Sequence, residues 1–362
     1  MVGGELLIKN DSVNSKTTHT RARREKLWFL QFLRGVCCLC IVAAHGVAFA
    51  EFTYGVPTGT WDYPLRYSML QCARIFLTLT GFFLAKEVTA GGNSLIFLKK
   101  KFARIFPTYW VGIFFALAIY AIFQRPVPTN RYFWRIFFLL PFDAPYLLNG
   151  EWTLIYDVFY YLIGAFFLSR EKLRRRFPVF LAAYALVLTT VAAVYLTNYN
   201  QLYSYFPQMP ISPEHLSFLA GCAAWYAFNW LEKQNFCIPQ WICWLIEIVA
   251  FGAFFFCTRG VLTSFDLAVR TVSSFVLILV GTQIRIPEKN PLVYIGNHSY
   301  GIYLAHATVF RMIFPLCAAA GYTYGTAVYI PAFLCAVLFG DLFGRLDIFI
   351  GKKTRAWLVP ER

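Results

Sequence analysis

The chain has 362 residues, of which 59% are apolar and only 14% charged, and its mean hydropathy is +0.54. Soluble domains carry about 25% charged residues, so this composition excludes an ordinary water-soluble globule and points to an integral membrane protein. The net charge of +15 would suggest nucleic acid in a soluble chain. Here the basic residues lie between apolar runs, where membrane topology accounts for them and no nucleic-acid partner is expected.

Residues 1–26 form a polar, basic tail with no cleavage signature after the apolar run that follows. That run is therefore expected to remain as a membrane helix. A bilayer core needs about 20 apolar residues per helix. Ten stretches answer to this: 27–49, 65–85, 103–123, 152–169, 178–196, 214–231, 239–257, 266–283, 292–314 and 324–343. They predict an all-α, polytopic membrane protein of about ten transmembrane helices. A membrane domain over 27–343 would sit between basic tails at 1–26 and 344–362. A shorter apolar stretch, Tyr132–Phe142, reads as a half-helix or an interfacial segment. Lysine and arginine concentrate in both tails and in the loops after even-numbered helices, among them "KKK" at 99–101 and "REKLRRRF". This alternation predicts a multi-pass inner-membrane protein with both termini cytoplasmic. Eight of the ten cysteines lie in apolar runs, where they read as small hydrophobes, so neither disulfides nor a metal site is expected.

Within the greasy runs, ionisable side chains stand out. "LRGVCCLCIVAAHG" in helix one carries Arg34 and His45, eleven positions apart. Eleven residues turn an α-helix through three full turns plus about 20° and rise about 16 Å, so the two share one face. An arginine in a bilayer costs at least about 2.5 kcal/mol, and a water- or ligand-filled cavity is one setting that justifies it. Helix two adds Arg74, helix four Glu151 and Asp157, and helix nine His298, His306 and Arg311. Glu247, Asp266 and Arg270 read as packing ions, His298 as a cap or packing group, and Asp341 with Arg345 as an i,i+4 pair. "LKKKFARIFPTYW" crowds Lys99, Lys100, Lys101 and Arg104 at the start of helix three. The cluster suits either a topology anchor or a socket for a phosphorylated cytosolic ligand. "NYNQLYSYFPQ", 198–208, is either a carbohydrate platform or an interfacial anchor.

Taken together, these segments resemble the acyltransferase-3 family of membrane acyltransferases over about residues 28–345. The resemblance rests on the arginine–ten residues–histidine spacing of helix one and on "IFLTLTGFFLAKE", with Thr80 where serine is usual. It rests also on "KKFARIFPTYW", "EWTLIYDVFYYL" and "SYGIYLAH". Two departures stand out. Lys101 takes the place of the first of two arginines, and Asp157 that of a glutamate.

What the resemblance implies is transfer of an acyl group, commonly acetyl, from acyl-CoA to a hydroxyl of a cell-envelope carbohydrate or glycolipid. About 19 residues follow helix ten, so the periplasmic esterase-like domain of many members is not expected. On this reading His45 either deprotonates the acceptor hydroxyl or carries the acyl group itself, and His306 is a second base or orients His45. Arg34 holds donor phosphate or polarises the thioester carbonyl, while Lys100, Lys101 and Arg104 hold the nucleotide phosphates. Trp152, Asp157, Tyr160 and Tyr303 are the candidate substrate contacts. No metal is expected. A transporter or flippase for a polar glycan or glycolipid is the rival class, because intramembrane ions also line transport pathways.

Overall fold

The structure, a computed structural model, describes residues 5–55, 62–130, 133–141, 146–195, 208–256 and 264–359. Among these, ten α-helices follow one another without a strand. They are α1 (Glu5–Tyr54), α2 (Asp62–Ala90), α3 (Ser94–Ile122), α4 (Glu151–Leu168), α5 (Glu171–Tyr195), α6 (Glu214–Lys233), α7 (Gln240–Phe256), α8 (Ser264–Gly281), α9 (Pro291–Ala319) and α10 (Thr326–Leu358). Each coincides in order with an expected stretch, but only seven are long and apolar enough to cross a bilayer. The others are α6, α7 and α8, so the described residues support seven candidate spans and leave the count of about ten unconfirmed. The helix α7 has 17 residues, and α6 carries Glu214, His215, Glu232 and Lys233 within 20. The short apolar stretch before α4 holds a 3-10 helix, Phe133–Phe138. The proposed carbohydrate platform at 198–208 lies outside the described residues except for Gln208.

Small residues let the helices close. Gly35 of α1 and Gly296 of α9 face each other, and a Cβ on Gly296 would stand 1.8 Å from the Gln31 carbonyl oxygen. Gly81 of α2 and Gly221 of α6 repeat the arrangement, with a Cβ on Gly221 falling 1.8 Å from Thr78 O. In lipid there is no hydrophobic drive between helices, so close van der Waals contact over such patches carries the association. The α1/α9 seam formed in this way brings distant histidines into register. At its far side α9 packs along α10, and α10 packs on α3.

The end of the bundle that holds the α2–α3 turn is basic. Gly91 and Gly92 turn the chain there at φ 78 and φ 144, a region glycine enters without penalty. Asn93 then caps α3 by accepting from Ile96 N at 3.0 Å. Pro107 sits inside α3. Proline has no N–H, so the carbonyl of Ala103 loses its helical donor. That oxygen faces Gly351 of α10, where a Cβ would lie 3.7 Å away. The helix α10 runs on to Leu358 rather than ending near 343, and its last turns join the basic end.

Candidate active site

The site has three parts in line. The first is a cavity of 590 Å³ at the basic end, lined by the α2–α3 turn, the start of α3 and the last turns of α10. Its cations are Lys100, Lys101, Arg104, Lys352 and Arg355. Glu87 and Asp347 also line it, and both are engaged. Lys101 Nζ donates to Glu87 Oε1 at 2.7 Å, and Asp347 Oδ1 accepts from Thr108 at 2.7 Å. Lys101 also lies over the rings of Phe97 and Tyr161. It is thus a tethered cation, while Lys100, Arg104, Lys352 and Arg355 make no hydrogen bond or ion pair to a described residue.

The second part is a cavity of 70 Å³ deeper in the bundle, between α1, α2, α4 and α9. Arg104 lines both cavities and so marks their junction. Across the inner cavity stand Arg34, Asp157, Thr80 and Tyr303. Arg34 makes one long contact, to Gln31 Oε1 at 3.5 Å, and packs its guanidinium over Phe83. Its Nε is buried with no partner, and so is Asp157 Oδ1. Thr80 hydrogen-bonds Asp157. Buried polar atoms are nearly always paired, and here two side chains of opposite charge each keep an unpaired atom beside one small cavity. The volume corresponds to about two waters, close to the bulk of an acetyl group.

The third part is a histidine pair. His45 Nδ1 lies 2.8 Å from His306 Nε2, and the rings stack with centroids 5.0 Å apart. His306 Nδ1 lies 3.1 Å from the Ile302 carbonyl oxygen. A carbonyl only accepts, so Nδ1 of His306 carries the hydrogen and donates. In the neutral imidazole its Nε2 is then an acceptor, and His45 Nδ1 must donate to it. This leaves the lone pair of His45 on Nε2. The relay Ile302 O–His306–His45 therefore fixes one tautomer, the same second-partner logic that sets histidine ligands and bases elsewhere.

Tyr303 separates the inner cavity from the histidines. It lines the cavity, and its ring centroid lies 5.9 Å from that of His306. Its hydroxyl forms a hydrogen-bonded triangle with Thr153 Oγ1 at 2.8 Å and the Gly150 carbonyl at 2.8 Å. A Cβ on Gly150 would fall 2.4 Å from the tyrosine ring, so a glycine is required at this contact. Beyond the histidines, Arg311 donates to the Leu147 carbonyl and to Asn149 Oδ1. Glu151 Oε1 accepts from Leu147 N and Leu148 N at 2.7 and 2.6 Å. These bonds hold the segment before α4 against α9.

Of the residues singled out from sequence, Arg34, Arg104, Asp157 and Tyr303 meet around one cavity, and Lys100 and Lys101 line the other. His45 and His306 meet each other. Tyr160 and Trp152 do not join them. Tyr160 is fully buried, stacked on Phe218 at 3.7 Å between centroids and bonded to His215 Nδ1 at 3.0 Å. It is core, and no substrate reaches it in this arrangement. Trp152 lines neither cavity and packs edge-on to Tyr156. His298 is a packing group, with Nδ1 on the Tyr294 carbonyl at 3.0 Å and Asp341 at 3.5 Å. Asp341 also pairs with Arg345 at 3.0 Å. Arg270 is tied to Gln71 at 2.6 Å. Lys352 and Arg355 are the residues that sequence reasoning passed over. The signal was in the sequence as a charged tail, but only the continuation of α10 turns them toward the cavity. Cys37 and Cys40 stand in C-x-x-C spacing, and both thiols meet Cys72. No group of three or more His, Cys, Asp or Glu among the described residues is placed to hold a metal ion.

No match is found among curated proteins or among solved structures. The sequence model of the acyltransferase-3 acyltransferase domain matches residues 27–342. That range runs from the middle of α1 to the middle of α10 and contains the histidine pair, the inner cavity and the first basic cluster. The chain belongs to the acyltransferase-3 family and is a multi-pass membrane acyltransferase.

Proposed function

We propose that the protein is a membrane O-acyltransferase that moves an acyl group, acetyl foremost, from cytoplasmic acyl-CoA to a hydroxyl of an extracytoplasmic or lipid-linked carbohydrate. One observation carries this reading. Arg104, which has no hydrogen-bonded partner, opens into a large basic cavity on one side and a small cavity lined by Arg34 and Asp157 on the other. The shape suits a ligand with a polyanionic head and a thin arm. The head sits among Lys100, Arg104, Lys352 and Arg355, and the thioester reaches Arg34. Room for about two waters favours a short acyl group.

The chemistry follows from the tautomer. Nε2 of His45 takes the proton of the acceptor hydroxyl as its oxygen attacks the thioester carbonyl. Arg34 faces the developing oxyanion, where fixed charge in a dry site is most effective. Collapse of the tetrahedral adduct breaks the carbon–sulfur bond, and the imidazolium returns its proton to the departing coenzyme A sulfur. In the other order His45 Nε2 attacks the thioester carbonyl first and expels the coenzyme A thiolate; the acceptor oxygen then takes the acyl group from Nε2, and its proton goes to the thiolate. Both orders need Tyr303 to leave its place between the cavity and His306, and its bonds to Thr153 and Gly150 are what it must give up.

The membrane domain, 27–343, lies between basic tails, with both termini in the cytoplasm of a cell whose inner membrane holds the protein. Cysteine labelling at 15, 200 and 355 tests this. Position 200 should label from outside and the others from inside, and outside labelling at 355 would invert the scheme. Purified protein given acetyl-CoA and an extract of envelope carbohydrate should release free coenzyme A thiol. A glycan transporter without acyl chemistry would release none.

A further inference from the structure

The basic cavity holds more positive charge than one diphosphate needs. Its four uncommitted cations come in two pairs on two helices. Lys100 and Arg104 are one turn apart on α3, and Lys352 and Arg355 are one turn apart on α10. The helices touch where the Ala103 carbonyl faces Gly351. The pairs flank that contact, Arg104 beside Ala103 and Lys352 beside Gly351. Two helix axes in contact lie about 8–10 Å apart, so the pairs form two separate anion subsites rather than one. Of the cavity's two carboxylates, Glu87 pairs with Lys101, and Asp347 bonds Thr108 and attracts Arg104, which leaves the α10 pair without a bonded carboxylate. Lys352 and Arg355 are solvent-exposed, free of partners among the described residues, and turned to the cavity.

We infer that the end of α10 is a specificity element, in which Lys352 and Arg355 bind the ribose 3′-phosphate of the donor nucleotide while Lys100 and Arg104 bind its 5′-diphosphate. This rests on the acyl-CoA reading above. The assignment of the two subsites follows from the order of the ligand. The pantetheine arm leaves from the 5′-diphosphate and must enter the inner cavity, and Arg104 alone of these four cations lines that cavity too. The diphosphate is therefore at the junction. The 3′-phosphate, on the other side of the ribose, then falls toward the mouth, where α10 ends. Coenzyme A differs from its 3′-dephospho form by that one group, so the α10 pair is what would distinguish them.

The test compares two ligands, coenzyme A and 3′-dephospho-coenzyme A, on the full chain in nanodiscs of uncharged lipid. The wild type should bind coenzyme A about ten- to hundredfold more tightly, the range expected for charge-assisted contacts. Lys352→Ala with Arg355→Ala should remove that preference by weakening coenzyme A alone. Arg104→Ala should weaken both ligands alike. An unchanged affinity for the dephospho form reports that the α10 variants are folded, and an unchanged thermal midpoint does so for Arg104→Ala. Arg355→Gln, a milder change at the exposed end of the helix, should shrink the preference in the same direction. A double variant that keeps the full preference would overturn the inference and leave these cations to anionic lipid. A wild type that binds both ligands equally would overturn it too, while leaving the donor reading intact. Binding of neither ligand by the wild type would remove the donor reading and this inference together.

Discussion

Two buried polar clusters sit in the same bundle and differ in how their charges are used. Between α2, α6 and α8, Arg74 bonds Gln71 and Glu214, and Arg270 bonds the same Gln71 oxygen at 2.6 Å. Every ion there has a side-chain partner on its own or a neighbouring helix, with one oxygen of Glu214 left over, and the cluster lines neither cavity. Around the inner cavity the pattern is reversed. Arg104 has no bonded partner, Arg34 has one long contact, and Arg34 Nε and Asp157 Oδ1 face no partner at all. Intramembrane charge therefore means two things in one protein. Paired with its own chain, it fixes how helices pack. Left unpaired beside a cavity, it is arranged for something that arrives.

The contrast can be broken by substitution. The largest effect is expected at the histidine that the relay leaves with a free lone pair. His45→Ala should slow acyl transfer by about 100- to 10,000-fold, the range for a positioned base, in protein that still inserts and elutes as a folded species. Full activity in well-folded His45→Ala would remove it from the chemistry. Next is Arg74→Ala. Removing one partner of a buried ion pair costs about 3–5 kcal/mol, so its thermal midpoint in detergent should fall well below that of Arg104→Ala. If Arg104→Ala is the less stable of the two, the distinction between committed and waiting charge fails. The effect of His306→Ala should be smaller, about hundredfold on the rate, as for a catalytic group set slightly out of place. His306→Gln can still accept from His45 Nδ1 and should recover part of that loss. Equal rates in the two variants would mean that the ring only packs.

The helices and the first members of the site could be read from sequence because an ion in an apolar run is conspicuous. Arg34, His45 and His306 announced themselves in this way. What hid was anything that depends on contact between distant helices. Nothing in "LKKKFARIF" tells that Glu87 holds Lys101, or that the carbonyl freed by Pro107 meets Gly351. Lys352 and Arg355 read as a topology signal, since the hydropathy of α10 fades before its helix does. Tyr160 misled in the other direction. An aromatic side chain one turn from Asp157 looks like a cavity wall until Phe218 is found stacked upon it. Seven of the ten stretches form helices long and apolar enough to cross among the described residues, and for α6, α7 and α8 apolar content alone does not decide the crossing. In the fold, α6 is largely buried against α2 and α8, and its polar ends need no exposure to lipid.

The central claim is that the uncommitted charge at the junction of the two cavities binds the acyl donor. Isothermal titration of acetyl-CoA into wild type and Arg104→Ala addresses it without needing the acceptor. Loss of one charge-assisted contact is worth roughly 1.5–3 kcal/mol, so the variant should bind about ten- to hundredfold more weakly while keeping the wild-type thermal midpoint. Equal affinities would contradict the account, reduce Arg104 to a topology anchor and send the search for the donor site elsewhere.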